Sequence, residues 1–396
     1  MKIVLISDSF IPMKNSAAVQ MRDLAIEFHR QGHQVVVLTP YENINKPWEM
    51  ENIKGVQVLR LRAPKLRGIS YLRRTTSELT MPFFMLYNLS KSPMAKAQWD
   101  GIVWYSPSIF HGILVRALKY ACNCPSYLIV RDIFPQWAVD LGLMGRGLPF
   151  LFFSTVAWYQ YSVADTIGIQ SIGNKKYFTG WQKNRKRKLE VLNNWLDNPP
   201  RVRCALRIDE THLEGRRVFV YAGNMGVAQG LDIFIDLADK LRTQLNIGFL
   251  FVGRGSNTAH LKRTAREKNL DNIIFFDEIA PEEIPDLYAQ CSAGIVSLDS
   301  GHKSHNIPGK FLTYMQSGLP VLANVNPGND LAEIIRDTKV GQVCENNTIE
   351  NLVQLSLKIL EQIEQDVELP ARCRRLFQRE FTVDKTVRQI IAALSS

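Results

Sequence analysis

Three short stretches in the second half of the chain carry residues suited to holding an anion. The first, residues 221–232, reads YAGNMGVAQGLD and follows the apolar run RVFVYA. Gly223, Gly226 and Gly230 let the backbone turn tightly and come close to a ligand. A helix opening near Gly230 would add N–H groups that favour phosphate. The spacing is not G-x-G-x-x-G, so the dinucleotide fingerprint is absent, and a structural strand-to-helix turn explains the same glycines equally well. The second stretch is LFVGRG, where Gly253 and Gly255 flank Arg254, a side chain that could meet a phosphate or simply be solvated. The third is SHNIPGKFLTYMQSGLPVLAN, residues 304–324. It places Lys310 at the start of a helix, against the helix dipole. A bound anion would offset that penalty; a lysine pointing to water is the plain alternative.

These stretches need a scaffold that brings strand ends together. Short apolar runs alternate with helical segments throughout: KIVLIS, QVVVLT, VQVLRL, GIVWY, SYLIV and DTIGI in the first half, then RVFVYAG, IGFLFVG, NIIFF, AGIVSL and LPVLAN. Continuous apolar strands separated by helices predict parallel sheets covered on both faces. At 396 residues the chain exceeds what one core holds, so two domains are expected. Asn198-Pro199-Pro200 marks the boundary. The reading is an α/β chain of two Rossmann-like domains, residues 1–198 and 199–370, with a closing helix over about 371–396 packed back on the first. Ligands of such a fold lie outside the carboxyl ends of the strands.

Charge is divided unevenly. Residues 1–198 hold 25 Lys/Arg against 13 Asp/Glu, and residues 199–396 hold 23 against 25. The first half therefore faces something anionic, or carries a solvated basic surface. Its basic stretches are KNRKRK, residues 183–188, and residues 60–74, where six Lys/Arg alternate with Leu66, Ile69, Tyr71 and Leu72. The apolar TMPFFMLYNL follows at residues 80–89. Basic residues beside exposed aromatics suit an anionic bilayer surface. RNA ranks lower because no nucleic-acid motif is present, and an ordinary core helix accounts for the apolar part. The six cysteines are scattered apart from Cys122 and Cys124, which reads as packed thiols and not as a metal centre. The start, MKIVLISDSF, reads as a first strand and not as a signal peptide. The run nearest to a membrane span, residues 147–164, includes Pro149, Ser154, Gln160 and Ser162 and does not read as a spanning helix. The expected location is the cytoplasm, peripheral on the inner face of the membrane.

The order YAGNMGxxQGLD, FVGRG, IPGKFLTYMQSGLPVLA resembles the retaining GT-B glycosyltransferases of the GT4 family. The likeness is nearest to the branch that includes O-antigen and capsule N-acetyl-L-fucosamine transferases. MKIVLISDSFIPMKNSAAVQMRDLA, VRDIFPQWAVDLGLM and LEVLNNWLDN extend it over nearly the whole chain. The sequence departs from the wider family where its two Glu would stand, at His305 and Thr313. It also departs where a Lys would stand, at Gln229, and near Ser106, where many members have a His.

The resemblance implies two domains facing a central cleft and transfer of a sugar with retention, from a UDP-sugar to a polyprenyl-diphosphate-linked acceptor. It implies no cofactor and no metal. Lys310, Arg254 and Asp132 are the candidate catalytic residues. Gly223, Asn224, Met225, Gly226, Gln229, Gly253, Gly255, Ile307, Pro308 and Gly309 are the candidate donor contacts. Ser16, Ala17, Gln20 and Arg131 fall on the acceptor side. The partners expected are a nucleotide-sugar, a lipid-linked sugar and an anionic membrane surface, with no nucleic acid. A UDP-sugar epimerase of the same fold would need a dense acid/base set, which the sequence does not offer. A basic nucleic-acid-binding protein is the non-enzymatic alternative.

Overall fold

A computed structural model describes residues 1–13, 15–140, 142–183, 187–198, 202–298 and 307–396; for Ala228 it describes the backbone alone. The chain divides into two compact units, Met1–Trp195 with Val383–Ser396, and Leu196–Thr382.

The first unit is built on eight strands: β1 (Lys2–Ile6), β2 (Gln34–Tyr41), β3 (Trp48–Ile53), β4 (Val56–Arg62), β5 (Gly101–Ser106), β6 (Ser126–Val130), β7 (Thr166–Ile169) and β8 (Lys188–Val191). Their order is β3-β4-β2-β1-β5-β6-β7-β8. All neighbours run parallel except β3 and β4, a hairpin turning through Lys54 and Gly55 at φ 49° and 89°. Successive residues of the central strands serve opposite faces. Val4 and Ile6 join one apolar cluster, Ile3 and Leu5 the other. Both faces are covered by helices, so these strands read as unbroken apolar runs.

The second unit holds β9 (Arg217–Ala222), β10 (Ile247–Val252), β11 (Ile273–Phe276), β12 (Ala293–Ser297), β13 (Val321–Asn324) and β14 (Gly341–Cys344). The order is β11-β10-β9-β12-β13-β14, parallel throughout. Renumbered from β9, that is 3-2-1-4-5-6, the doubly wound arrangement whose direction of winding reverses beside its first strand. Here the reversal lies between β9 and β12; in the first unit the corresponding point lies between β1 and β5. The buried Tyr314 hydroxyl spans the β9–β12 pair, donating to the carbonyls of Val220 and Ile295 at 3.0 and 3.2 Å.

The closing segment differs from the single helix expected over 371–396. It forms two helices, Leu369–Glu380 and Val383–Leu394. The first stays in the second unit, where its Cys373, Leu376 and Phe377 share a core with Phe311 and Met315. The second belongs to the first unit and buries Val387 and Ile390 beside Met21 and Leu24. The break has a local cause: Phe381 is buried, its carbonyl accepts from the Leu196 amide at 3.0 Å, and Thr382 bridges to Leu196. The unit division at 195/196 stands three residues before the boundary expected at 198/199. Pro199 and Pro200, which suggested that boundary, lie outside the described residues. All six cysteines are free thiols.

Candidate functional site

In the second unit, β9 and β10 are paired in register from Ile247↔Arg217 to Val252↔Ala222, so their next residues, Gly223 and Gly253, stand side by side. Both adopt a positive φ, 138° and 137°. A Cβ on Gly253 would lie 2.1 Å from the Gly223 carbonyl oxygen, and one on Gly255 2.3 Å from the Met225 backbone. The two loops are laced together: the Gly223 amide donates to Val252 at 2.9 Å, Met225 to Arg254 at 2.8 Å, and Asn257 to Met225 at 3.0 Å. Close packing of backbone on backbone, which only glycine permits, leaves Gly223 and Asn224 exposed above the strand ends.

Lys310 belongs to this place. Pro308 caps the helix Gly309–Ser317, and no side chain caps its opening amides. The lysine stem passes over Gly223, its Cε 4.0 Å from where a Cβ would stand, and its ammonium sits over the Tyr221 ring at 4.5 Å. The Tyr221 hydroxyl in turn donates to the Asn224 carbonyl at 2.6 Å, fixing the glycine loop over the ring. Burial pushes the Lys310 ammonium down to about 8. Among the described residues no carboxylate pairs with it. A shielded cation beside exposed glycine backbone and uncapped helix amides is an arrangement that a diphosphate would complete.

Other residues singled out in the sequence stand differently. The helix expected at Gly230 begins at Asp232, after a short turn over Val227–Gln229 and a left-handed Gly230. Asp232 puts its own carboxylate at that helix opening, where it meets His260 at 2.9 Å and Asn257 at 3.2 Å. The Gly226 amide is taken by the Gln229 side-chain oxygen at 3.0 Å, which also accepts from Asn224 at 3.2 Å. Gln229 thus holds the loop closed. The Met225 side chain lies in the core with Phe234 and Phe251, and Ile307 is buried beside Phe311 and Leu312; each offers only backbone outward. Arg254 points outward and pairs with Glu278 at 2.8 Å. Thr313 returns its hydroxyl to the Gly309 carbonyl at 3.2 Å. His305 lies outside the described residues.

In the first unit, Arg131 directly follows β6 and reaches back to the helix Ser16–Arg30. Its guanidinium donates to Gln20 Oε1 and to the Tyr105 hydroxyl at 3.1 Å each, and to Ser16 Oγ at 3.2 Å. Gln20 passes the chain on to Asn194, and its carbonyl accepts from the Trp195 indole at 3.2 Å. The helix is opened by Asn15, whose side chain accepts from Ala18 at 2.8 Å, leaving Ser16 and Ala17 at the rim. Asp132 follows Arg131, its carbonyl accepting from Phe134 at 3.2 Å.

Three residues outside the candidate site residues named from the sequence lie around the β1–β5 reversal. Asp8 and Ser106 follow or end these strands, and His111 precedes the helix Gly112–Cys122. Asp8 Oδ1, Ser106 Oγ and both His111 ring nitrogens are buried without a hydrogen-bond partner among the described residues. Burial holds the His111 imidazole below its usual range against the opposing pull of Asp8. The signal is present in the sequence: Asp8 is the first charge after an apolar strand, and His111 lies five residues past Ser106, near which the resemblance places a histidine. No group of three or more His, Cys, Asp or Glu among the described residues could hold a metal ion.

Residues 216–362, within the second unit, match the family described as glycosyl transferases group 1. The chain is 26% identical over 250 residues to the probable glycosyltransferase WbjE of Pseudomonas aeruginosa, 62% of either chain. It is 24% identical over 383 residues to the putative colanic acid biosynthesis glycosyl transferase WcaI of Escherichia coli K12, covering 87% of this chain and 86% of that one. Among solved structures, the Anabaena protein HepE in complex with UDP and glucose superimposes with a TM-score of 0.69 over all of both chains at 15% identity. The fold is that of the GT-B glycosyltransferases.

Proposed function

We propose that this chain is a retaining GT4-type glycosyltransferase that moves a sugar from a UDP-sugar to a polyprenyl-diphosphate-linked acceptor in the assembly of O-antigen, capsule or a similar surface polysaccharide. The observation that carries the reading is the Lys310 ammonium, held over Tyr221 beside Gly223 with no carboxylate partner among the described residues. WcaI, by its description, works in colanic acid biosynthesis, and HepE binds UDP and glucose; both favour a nucleotide-sugar used for polysaccharide. The donor is a UDP-N-acetylamino-deoxyhexose such as UDP-N-acetyl-L-fucosamine, on the branch resemblance of the motifs.

In this reading the acceptor oxygen attacks the anomeric carbon on the face the diphosphate leaves. The bond from that carbon to the phosphate oxygen breaks, the new glycosidic bond forms, and the acceptor proton passes to Asp132 or to the departing phosphate. Lys310, the amides of Gly309 and the exposed backbone at Gly223 and Asn224 stabilise the charge developing on the diphosphate. The Arg131 network positions Asp132 and the Ser16–Arg30 helix on the acceptor side. The reaction uses no metal and no cofactor, so chelator leaves the rate unchanged. The enzyme works on the cytoplasmic face of the membrane, drawn there by the basic first unit. The test is a donor screen against a lipid-linked acceptor, with UDP and RNA compared in a thermal-shift assay. A melting-temperature rise with UDP and none with RNA supports the reading; the reverse overturns it.

A further inference from the structure

The helix Leu148–Val163 is apolar on its outer side as well as its inner one. Its protein-facing side buries Ala157, Gln160 and Val163, and Gln160 is completely buried, accepting from the His111 amide at 3.1 Å and donating to the Ser108 carbonyl at 3.0 Å. Its outward side carries Leu148, Leu151, Phe152, Thr155 and Trp158, which recur every three or four residues and so form one stripe. Leu148, Leu151 and Trp158 are 82, 63 and 66% exposed. The helix contains no charged residue in sixteen positions. A helix at a water surface carries polar residues on its outer side; here that side is apolar too. Exposed Leu143 extends the stripe before the helix begins. The neighbouring helix Gly112–Cys122 packs against it, also lacks a carboxylate, and exposes Tyr120 almost fully. On that helix's other flank packs Tyr71–Leu89, with Phe83, Phe84 and Tyr87 exposed.

The surroundings are cationic. Arg146 is exposed just before the helix. At its other end Lys119, which also pairs with Asp165 at 2.6 Å, and Arg187 donate to the last carbonyls, those of Val163 and Ser162, at 3.0 and 3.2 Å. The segment packed on Tyr161 through Phe178 and Trp181 exposes Lys175, Lys176 and Lys183. An apolar stripe rimmed by cations matches the layering of an anionic bilayer, with hydrocarbon below and phosphate beside it. A second copy would bring the same cations against one another. At sixteen residues the helix is short of a span, and among the described residues no helix is long and apolar enough to cross a membrane.

We infer that the helix Leu148–Val163 lies in the plane of an anionic membrane surface and inserts Leu148, Leu151, Phe152 and Trp158 below the headgroups. This deepens the membrane-surface part of the proposed function and replaces a purely electrostatic attachment with a one-sided anchor. Trp158 is the exposed tryptophan among seven, so it reports insertion directly. The experiment mixes the full chain with phosphatidylcholine vesicles holding a third phosphatidylglycerol, with and without brominated acyl chains, at low and at half-molar salt. Bound protein should persist in part at high salt, with blue-shifted emission quenched by the brominated chains. The double variant Leu151→Glu, Phe152→Ser should bind at least about tenfold more weakly, because a carboxylate at that depth costs more than a decade of partitioning. Its UDP-induced melting shift should match the parent, which shows an intact fold and separates this inference from the donor site. Complete release by salt, unquenched Trp158, or equal binding by the variant overturns the anchor. So does sedimentation showing a concentration-dependent dimer that the variant loses, since a second copy then covers the stripe. Vesicle insertion without any UDP shift would leave the anchor standing and overturn the proposed transfer.

Discussion

At the carboxyl end of β9 the chain exposes glycine backbone; at the ends of β1, β5 and β6 it places Asp8, Ser106 and Arg131. The two sheets reverse at equivalent points, so topology alone would make equivalent sites. The difference lies in what the charged groups do. Arg131 spends its donors on Gln20, Tyr105 and Ser16, tying a helix to a strand end. Lys310 meets only a ring face and burial, and its charge has no opposite within the described unit. A charge already satisfied maintains shape, whereas a shielded charge without a partner stores affinity for an anion that arrives later.

The sharpest way to break this contrast is to remove each cation. Lys310→Met keeps the apolar stem and deletes the charge. We expect kcat to fall by about 10²–10³-fold, the loss typical of one preorganised donor to a developing anion, with no drop in melting temperature. Arg131→Met should do the reverse in kind: a loss of roughly 2–3 kcal/mol of stability, because two buried partners, Gln20 and Tyr105, lose a charged donor. Calorimetry and steady-state rates on both variants read the contrast. Equal loss of stability in the two would erase it.

Glycines sharpen it further. Gly253→Ala forces a Cβ to 2.1 Å from the Gly223 oxygen at a φ of 137°. That should cost roughly 2–4 kcal/mol of stability. Gly223→Ala meets nothing closer than the Lys310 Cε at 4.0 Å. It should cost only the strain of its φ, about 1–3 kcal/mol, while weakening UDP binding through crowding of the exposed backbone. If Gly253→Ala melts normally and Gly223→Ala binds UDP as before, the loop geometry is misassigned.

Much of this was legible from residue types. Eleven strands appear in the sequence as apolar runs because both faces of each sheet are covered. The three that do not, β3, β8 and β14, are edge strands. WEMENI in β3 pairs with one neighbour and leaves half its side chains in water, so no continuous run marks it. The glycine loop, LFVGRG and Lys310 were visible because close backbone approach demands glycine and a helix-start lysine is unusual. The Asp8, Ser106 and His111 grouping was not, since three lone polar residues 98 and 5 positions apart have no period and come near one another only through the parallel pairing of β1 and β5. The helix with an apolar outer side is half legible: residues 147–164 stand out as apolar, but which side faces outward depends on tertiary packing.

The acid–base behaviour of Lys310 gives a smaller effect with a defined sign. Its ammonium is lowered to about 8 from an ordinary 10.5 by burial. Below about pH 8 the group is charged in folded and unfolded chain alike, and folding bears the desolvation cost. Between about 8 and 10.5 the folded lysine is neutral while the unfolded one still holds its proton, so this cost is relieved and the group's contribution to stability improves as pH rises. Binding runs the other way. A diphosphate pulls the ammonium back toward its ordinary range, so UDP affinity should fall by up to tenfold per pH unit above about 8. Calorimetric titrations in two buffers of different ionisation enthalpy should show proton uptake on binding near pH 8.5, absent in Lys310→Met. Affinity that stays flat from pH 7 to 9.5 would place the diphosphate away from this lysine.

The smallest effect concerns Arg254, which sits between the two extremes. Its side chain is exposed, and so is its partner Glu278 at 2.8 Å. An exposed pair is worth about 0.2–1 kcal/mol, so releasing it costs little and Arg254 remains able to turn toward a phosphate. If it does turn, Glu278 is a competitor of the ligand. Glu278→Gln should then tighten UDP binding by about twofold to fivefold, the pair energy returned as affinity. Arg254→Gln should weaken binding, and the double variant should bind like Arg254→Gln alone, because no competition is left to relieve. Neither single change should shift the melting temperature measurably, since both side chains stand in solvent. Should Glu278→Gln bind UDP no more tightly than the parent at low salt, Arg254 belongs with Arg131 among the cations already spoken for, and Lys310 stands as the one side-chain cation of the described second unit poised for the leaving diphosphate.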